Sequence, residues 1–164
     1  ELMLTQLSLA NYHVASFNNK ENKEVVPVIE EQLDIEVNNY ATITGKRLFI
    51  VPNLLNRTGT QLSADEKRKY EVELLYPYRD VDSIEVTLPA GYVVEALPQP
   101  VKLQTPFGAY SSSVKIENDK LIYVRVREQT SGRFPSSAYE ELVKYYSAIY
   151  KADNARVVLV KKEG

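Results

Sequence analysis

Alternation of apolar and polar residues in steps of two is the feature of this sequence that most restricts its fold. In QLDIEV, the apolar Leu33, Ile35 and Val37 alternate with acidic residues. The segments KYEVELLY (69–76) and SIEVTLP (83–89) repeat the pattern. A period of two places every second side chain on the same face of a strand. The pattern therefore predicts a mainly β protein with half-buried strands.

Turn-forming residues lie between the alternating runs rather than inside them. The segment SSVKIENDKLIYVRV predicts a β-hairpin with Asn118 and Asp119 in its turn. We expect seven to nine short strands in an antiparallel, immunoglobulin-like β-sandwich, with an open barrel as the alternative. Only one helical segment is found, which argues against an α/β fold. Proline and glycine separate the strands at short intervals: Pro52, Pro77, Pro89–Gly91, Pro98, Pro100 and Pro106–Gly108.

The 164 residues fit one domain, and no repeat or low-complexity tract divides them. Residues 1–29 are expected to form an N-terminal strand and a polar turn. The longest polar loop is predicted from Arg57 to Lys69. We therefore expect a single domain over 1–164.

One segment, SAYEELVKYYSAIYKADN, has the period of an amphipathic helix, about 137–152, which the strand-like ARVVLV follows. Ser137 and Glu140 have the spacing of a capping box, and Asn154 is a candidate left-handed residue at the C-terminus. Tyr145 falls at the margin of the apolar stripe, so it is expected to be more exposed than the rest. The predicted packing face consists of Tyr139, Leu142, Val143, Tyr146, Ile149 and Tyr150.

Composition and charge disfavour several functional classes. The formal net charge is −2, and the one tight basic run, Lys67–Lys69, follows two acidic residues, so a nucleic-acid partner is not expected. No apolar stretch reaches the ~20 residues that a membrane-spanning helix needs. The chain has no cysteine, which removes thiolate chemistry and disulfides. Because it begins at Glu1, we expect it to be part of a longer protein.

No pattern of residues predicts a catalytic site. His13 is the single histidine, and a catalytic triad would depend on it alone. Asp80 and Asp82 could supply oxygens to calcium, but no calcium-loop pattern surrounds them. We therefore predict no catalytic, cofactor-binding or metal-binding residues and no cofactor. The adjacent carboxylates each suit a solvated surface: Glu30 and Glu31, Asp65 and Glu66, and Glu140 and Glu141.

A longer pattern resembles a known family. The run Tyr76–Asp80, the Leu-Pro-Ala-Gly-Tyr sequence at 88–92, Leu97-Pro98 and Phe134-Pro135 are its most telling parts. Over residues 30–162 the sequence resembles the C-terminal β-sandwich domain, of unknown function, of bacterial transglutaminase-like proteins. In proteins of that family, an N-terminal β-domain and a papain-like core come before this domain. The resemblance implies that the catalytic triad of the family would lie upstream, in a periplasmic or extracellular protein.

The expected function is that of a non-catalytic accessory domain. Its partners would be the upstream domains of its own chain or an envelope protein. The alternative is a carbohydrate- or peptidoglycan-binding module, which would need exposed aromatic side chains. A third hypothesis, that the domain is itself an enzyme, has the least support. The candidate aromatic residues of a glycan-binding surface are Tyr145, Tyr78, Tyr92 and Tyr110.

Overall fold

A computed structural model describes residues 9, 12–23, 25, 28–59, 61–65 and 67–162. The described residues form twelve strands and one α-helix, α1, at Tyr139–Asp153, which a short 3₁₀ turn at Ser136–Ala138 precedes. The mainly antiparallel β fold with a helix before the last strand is therefore confirmed, with more strands than the seven to nine predicted. The strands are β1 (Tyr12–Asn22), β2 (Val28–Val37), β3 (Thr42–Thr44), β4 (Arg47–Ile50), β5 (Val72–Leu74), β6 (Tyr78–Thr87), β7 (Tyr92–Ala96), β8 (Val101–Thr105), β9 (Gly108–Glu117), β10 (Lys120–Gln129), β11 (Gly132–Phe134) and β12 (Val157–Lys161).

The largest sheet has four antiparallel strands in the order β6-β10-β9-β8. The predicted hairpin joins β9 to β10, with Lys120 opposite Glu117. Asn118 and Asp119 have φ values of 48° and 59°, as a two-residue turn between twisted strands requires. The hairpin prediction is confirmed at its turn as well as in its strands.

A second four-stranded sheet, in the order β3-β4-β12-β7, faces part of the first. The core between these sheets contains Leu48 and Ile50 from β4, and Val157 and Leu159 from β12. Leu121 and Tyr123 of β10 complete its buried centre. Alternate residues of each strand point into this layer, as the two-step pattern predicts.

Helix α1 packs beside this layer and forms a second core. The buried residues of the helix are Leu142, Tyr145, Ile149 and Asp153. They contact Phe107, Tyr110 and Val72, among others. The small antiparallel sheet of β11 and β5 adds Val72 and Phe134 to the same side.

The predicted phase of the helix is wrong. Tyr145, expected to be exposed, is 5% exposed, while Tyr146 is half-buried. The buried stripe is rotated by about 60° relative to the prediction, as judged from 3.6 residues per turn. Tyr145 packs instead in the second core, where its ring centroid lies 6.5 Å from that of Phe107. Asp153 in the last turn also faces inward, and its carboxylate lies 2.9 Å from the guanidinium of Arg125.

The predicted helix ends are also wrong in detail. The N-cap residue is Ala138, and no side chain caps the first turn, so Ser137 and Glu140 form no capping box. Pro135 instead leads into the 3₁₀ turn, where the amide of Ala138 donates to the carbonyl of Pro135. Asn154 has a φ of −103° and is not left-handed, and its side-chain amide donates to the carbonyl of Tyr150.

Strands β1 and β2 form a separate two-stranded antiparallel sheet. Strand β1 continues through Asn18–Asn22, part of the polar segment expected to form the turn within residues 1–29, because β2 pairs with it as far as Asn22. Leu33, Ile35 and Val37 of β2 are half-buried, as their alternation predicts. The described residues between β4 and β5 contain no helix or strand, which confirms the long loop there. In the part of the chain that the structure describes, no helix is long and apolar enough to cross a membrane.

Candidate functional site

A buried ionic cluster lies between the two cores. Arg125 of β10 is 1% exposed, and its guanidinium contacts two carboxylates. Its Nη1 donates to Oδ2 of Asp82 on β6 at 2.8 Å, and its Nε donates to Oδ1 of Asp153 at the end of α1 at 2.9 Å. Asp82 and Asp153 are 5% and 1% exposed. Three distant segments thus contribute one charge each to a single buried site.

The local folding pattern explains why these side chains point inward. Arg125 has the same strand phase as Leu121 and Tyr123, and it lies directly opposite Asp82 in the ladder between β10 and β6. Asp82 likewise shares its face with Ile84. Both residues therefore belong to the covered face of the sheet, where an unpaired charge would be costly. Pairing Arg125 with Asp82, and with Asp153 at the end of α1, satisfies that requirement.

Neutral donors complete the carboxylate hydrogen bonds. The hydroxyl of Tyr110 donates to Oδ1 of Asp153 at 2.8 Å, and the amide of Thr58 donates to Oδ2 at 2.9 Å. The side-chain amide of Asn56 donates to Oδ1 of Asp82 at 2.6 Å. The polar loop after β4 is therefore held against the sheet by its own backbone and side-chain amides.

Burial and neighbouring charges shift the pKa values of the groups in this cluster. Burial alone would lower the pKa of Arg125, but Asp153 and Asp82 outweigh it and raise the pKa. Burial raises the pKa of Tyr110 to about 12, and Asp153 contributes in the same direction. Burial also raises the pKa of Tyr123, which lies next to Tyr110 in the cluster. Arg125 stays charged and the tyrosines stay neutral over the physiological pH range.

The geometry assigns this cluster a structural role. Each carboxylate of Asp82 and Asp153 accepts hydrogen bonds on both of its oxygens. Asp82 is therefore engaged by Arg125 and Asn56, whereas the calcium hypothesis needed it to face a cation together with Asp80. Within the described ranges, no three His, Cys, Asp or Glu side chains come together as a metal site would require.

The other sequence candidates are scattered over the molecule. His13 is exposed on β1, and Glu30 lies on the exposed end of β2. Glu140 and Glu141 are exposed in the first turn of α1, where Glu140 pairs with Lys144. Asp65 is exposed in the long loop, and its carboxylate accepts from the amide of Lys67. Glu66 lies outside the described residues.

The four tyrosines expected for a glycan-binding surface do not form one. Tyr145 and Tyr110 are buried in the second core, at 5% and 1% exposure. Tyr92 is half-buried against the first core. Tyr78 is half-buried, and its ring lies 5.6 Å from the guanidinium carbon of Arg127. The expectation that Tyr145 is available to an external partner is therefore wrong.

A different set of large apolar side chains is exposed. Tyr70, Leu75 and Tyr76, which flank β5, are 83%, 65% and 74% exposed. Glu73 of β5, between these residues in the chain, pairs with Arg133 of β11 at 3.1 Å. We call the surface formed by Tyr70, Leu75 and Tyr76 the β5 patch. Sequence reasoning missed it because the alternation of KYEVELLY assigned both Tyr70 and Tyr76 to the covered face.

The buried cluster was also missed, although the sequence contains a signal for it. Arg125 interrupts the apolar phase of LIYVRV at an inward position, and Asp82 interrupts VDSIEV in the same way. Two charges of opposite sign at inward positions of strands indicate a buried ion pair. The pattern could not identify Asp153 as the third member, because that depends on where the helix ends in space.

Comparisons with known proteins extend this description. The model of a family called a domain of unknown function with a solved structure, DUF3858, matches residues 46–159. The chain is also similar to a crystal structure from Parabacteroides distasonis described as a putative protease, with a TM-score of 0.52 and 19% identity. That similarity covers 70% of this chain and 23% of the other, so this chain spans less than a quarter of that protein. Such a likeness shows the fold alone. A comparison with curated proteins gives no match.

Proposed function

Because this chain belongs to the DUF3858 family of domains of unknown function, we propose that it is a non-catalytic accessory domain of a longer bacterial protein. It packs against another domain of the same chain through the β5 patch. The β5 patch is the observation that carries this proposal. The role of the accessory domain is to position or stabilise the neighbouring domain rather than to carry out chemistry.

The exposure of the β5 patch favours an interface. Single exposed apolar residues are ordinary, but Tyr70, Leu75 and Tyr76 fall within seven consecutive residues and are each at least 65% exposed. Tyrosine is enriched in protein interfaces because its ring is apolar and its hydroxyl can still reach water or a partner. Burial of each of these side chains would contribute roughly 1.5–3 kcal/mol by the usual area relation.

The buried cluster also supports a structural role, because its charged groups already have hydrogen-bond partners within the protein. Arg125, Asp82 and Asp153 satisfy one another and the loop after β4, and all three are 5% exposed or less. A catalytic acid or base needs a substrate within hydrogen-bond reach. The hydrogen bonds of these groups instead hold the sheet that contains β6 and β10, helix α1 and the loop after β4 in place relative to one another.

We further propose that the longer protein carries a transglutaminase-like or protease-like core and resides in the bacterial cell envelope. The resemblance of residues 30–162 to the C-terminal domain of transglutaminase-like proteins supports this. The structural neighbour from Parabacteroides distasonis supports a multidomain parent, because it is much longer than this chain. In this proposal the catalytic residues belong to the neighbouring core.

Hydrogen–deuterium exchange tests the proposed contact. Amides from residue 70 to residue 76 should exchange more slowly in the full-length natural protein than in this domain alone. Replacement of both Leu75 and Tyr76 by Ser should leave the isolated domain folded and abolish the extra protection in the full-length protein. Ile43→Ser is the matched control, because Ile43 is 70% exposed on β3, away from the patch. Equal exchange in the two proteins would reject the β5 patch as the contact.

An activity assay tests the non-catalytic assignment. The isolated domain is incubated with peptidase, amidase and transglutaminase substrates, and we expect no turnover above that of a heat-unfolded sample. His13→Ala controls for chemistry through the single histidine. Robust turnover would contradict the proposal, and its loss in the His13→Ala variant would assign the chemistry to that histidine.

A further inference from the structure

Two clefts of opposite character meet beside the β1–β2 hairpin. One, of about 260 Å³, lies at the end of the sheet that contains β3 and β4, and its lining includes Arg57 and Arg156. The other, of about 330 Å³, lies between β2 and the first core. Leu9, Tyr40 and Val51 line both clefts, so the two are adjacent and share a wall.

The first cleft is cationic. Arg57 approaches it from the loop after β4, and Arg156 approaches it from the segment between α1 and β12. Asn39 and Thr42 add neutral polar groups, and none of the described residues lining this cleft is Asp or Glu. A lining with two guanidinium groups stands out in a chain whose formal net charge is −2.

Arg156 is the group best placed to bind a ligand here. Its side chain is exposed. Among the described residues, no side chain forms a salt bridge or hydrogen bond with the guanidinium of Arg156, whereas Arg47, Arg125 and Arg133, for example, each pair with a carboxylate. A guanidinium presents a fork of donors that matches a carboxylate or phosphate. A negative group entering this cleft would therefore meet an arginine whose donors are available.

The second cleft is apolar. Ile35 and Val37 of β2 form one side, while Leu54 and Val86 belong to the sandwich side. All four side chains are half-buried, so each retains surface that a ligand could cover. Clefts of a few hundred Å³ with apolar walls and a few polar groups at one end are typical of small-molecule sites.

Tyr40 connects the two clefts. Its hydroxyl donates to the backbone carbonyl of Val51, which fixes the ring at the shared wall. Burial raises the pKa of Tyr40, while the charge of Arg57 acts in the opposite direction. The Tyr40 hydroxyl therefore stays a neutral donor to Val51, and the ring remains in place between the apolar and cationic clefts.

We propose that the two clefts form one binding site for a small amphiphile, a single apolar chain with a carboxylate or phosphate head. The apolar chain lies along Ile35, Val37, Leu54 and Val86, and the head binds Arg156 with Arg57 nearby. Charge complementarity selects the anionic head, and the shared wall sets its distance from the apolar chain. This site is independent of the β5 patch, and either proposal can fail without the other.

Calorimetric titration of this chain with matched eight-carbon probes tests the site. The probes are octanoate, octyl phosphate and the neutral octyl glucoside, each kept below its micelle concentration. We expect at least one anionic probe to bind more tightly than octyl glucoside. The better of the two identifies the head as carboxylate or phosphate. Absence of binding by both anionic probes, or equal binding of all three, would overturn the proposal.

Matched variants then locate the site. Arg156→Ala should weaken the anionic probe by roughly 10-fold or more, the factor expected for the loss of a hydrogen bond to a charged group. Lys102→Ala removes the same charge from an exposed position on β8, and should leave affinity within about 2-fold if charge at the cleft is what matters. Equal weakening by the two variants would overturn the site. Leu54→Ser should weaken all three probes together.

Amide chemical-shift mapping uses the unmodified chain, so its result does not depend on whether the variants fold. Octanoate should shift the amides of residues 35–42, 54–57 and 156. Shifts confined to the β5 patch or spread evenly over the surface would contradict the proposed location.

Discussion

Replacement of Asp153 by Ala should be one of the most destabilising single substitutions in this domain. Asp153 accepts hydrogen bonds from three buried donors, namely Nε of Arg125, the hydroxyl of Tyr110 and the amide of Thr58, at 2.8–2.9 Å. The side chain of Asp153 is 0% exposed and that of Arg125 is 1% exposed. Water therefore cannot readily replace the carboxylate without local opening of the fold.

The magnitude follows from the buried charge that remains. Removal of one partner of a buried ion pair costs about 3–5 kcal/mol, because the other charge stays out of water. Asp82 still pairs with Arg125 at 2.8 Å, which limits the loss. The two neutral donors add to it, since an unsatisfied buried donor costs about 1–3 kcal/mol. A decrease of about 3–5 kcal/mol is a large part of the 5–15 kcal/mol typical of a domain.

Urea unfolding followed by circular dichroism and tyrosine fluorescence measures this decrease. Glu140→Ala is the control on the same helix, because its exposed pair with Lys144 should contribute little to stability. A double-mutant cycle with Arg125→Met should show strong non-additivity, because both substitutions remove the same contact. A loss below about 1 kcal/mol for Asp153→Ala, or strict additivity, would refute the account of the cluster.

Other substitutions test the helix phase, the buried hydroxyls and the sheet. Tyr145→Ala should cost about 3–5 kcal/mol in urea unfolding, and Tyr146→Ala clearly less, because only Tyr145 is fully within the second core; equal costs would reject the observed phase. Tyr145→Phe should be nearly neutral at pH 7, since the Tyr145 hydroxyl has no hydrogen-bond partner among the described residues, whereas Tyr110→Phe should cost about 1.5–3 kcal/mol. Burial raises the pKa of both tyrosines from 10.0 to about 12, so the folded state retains protons that the unfolded state releases, and stability should fall as pH rises between these values. Tyr145→Phe should flatten that fall in a pH series of unfolding curves, and an unchanged slope would argue against it. Gly108→Ala should cost about 2 kcal/mol or more, and more than Gly45→Ala, because its Cβ would lie 1.9 Å from a backbone carbonyl oxygen of β10 while Gly45 has open space.

The class of fold was predictable from the sequence because strand alternation and turn conformation depend on neighbouring residues. Alternation in SIEVTLP places Ile84, Val86 and Leu88 on one face, and all three pack against the first core. The turn at Asn118 and Asp119 was predictable, since few residue types adopt positive φ without cost. The expectation of a domain of unknown function agrees with the family match over residues 46–159.

The buried face of α1 and the exposure of the tyrosines were less predictable, because they depend on which parts of the chain pack against them. Tyr145 lies at the margin of the apolar stripe of α1, and the hydroxyl of a tyrosine tolerates either core or rim. Tyr146 uses its rim position to donate to the side chain of Gln129 at 3.2 Å. Tyr70 and Tyr76 have the strand phase of a covered face, yet β5 is only three residues long and leaves both outside the sheet.

The sequence by itself determined that this protein has alternating strands, a tight β9–β10 hairpin and one helix before the last strand, because each depends on neighbouring residues. Only the tertiary structure decided which charges meet. Asp82, Arg125 and Asp153 are separated by 43 and 28 residues, and their contact requires the sheet register and the end of α1 to coincide. The cost of a buried charge makes that coincidence a condition of the folded state, because each of these groups would otherwise lie unpaired in the interior.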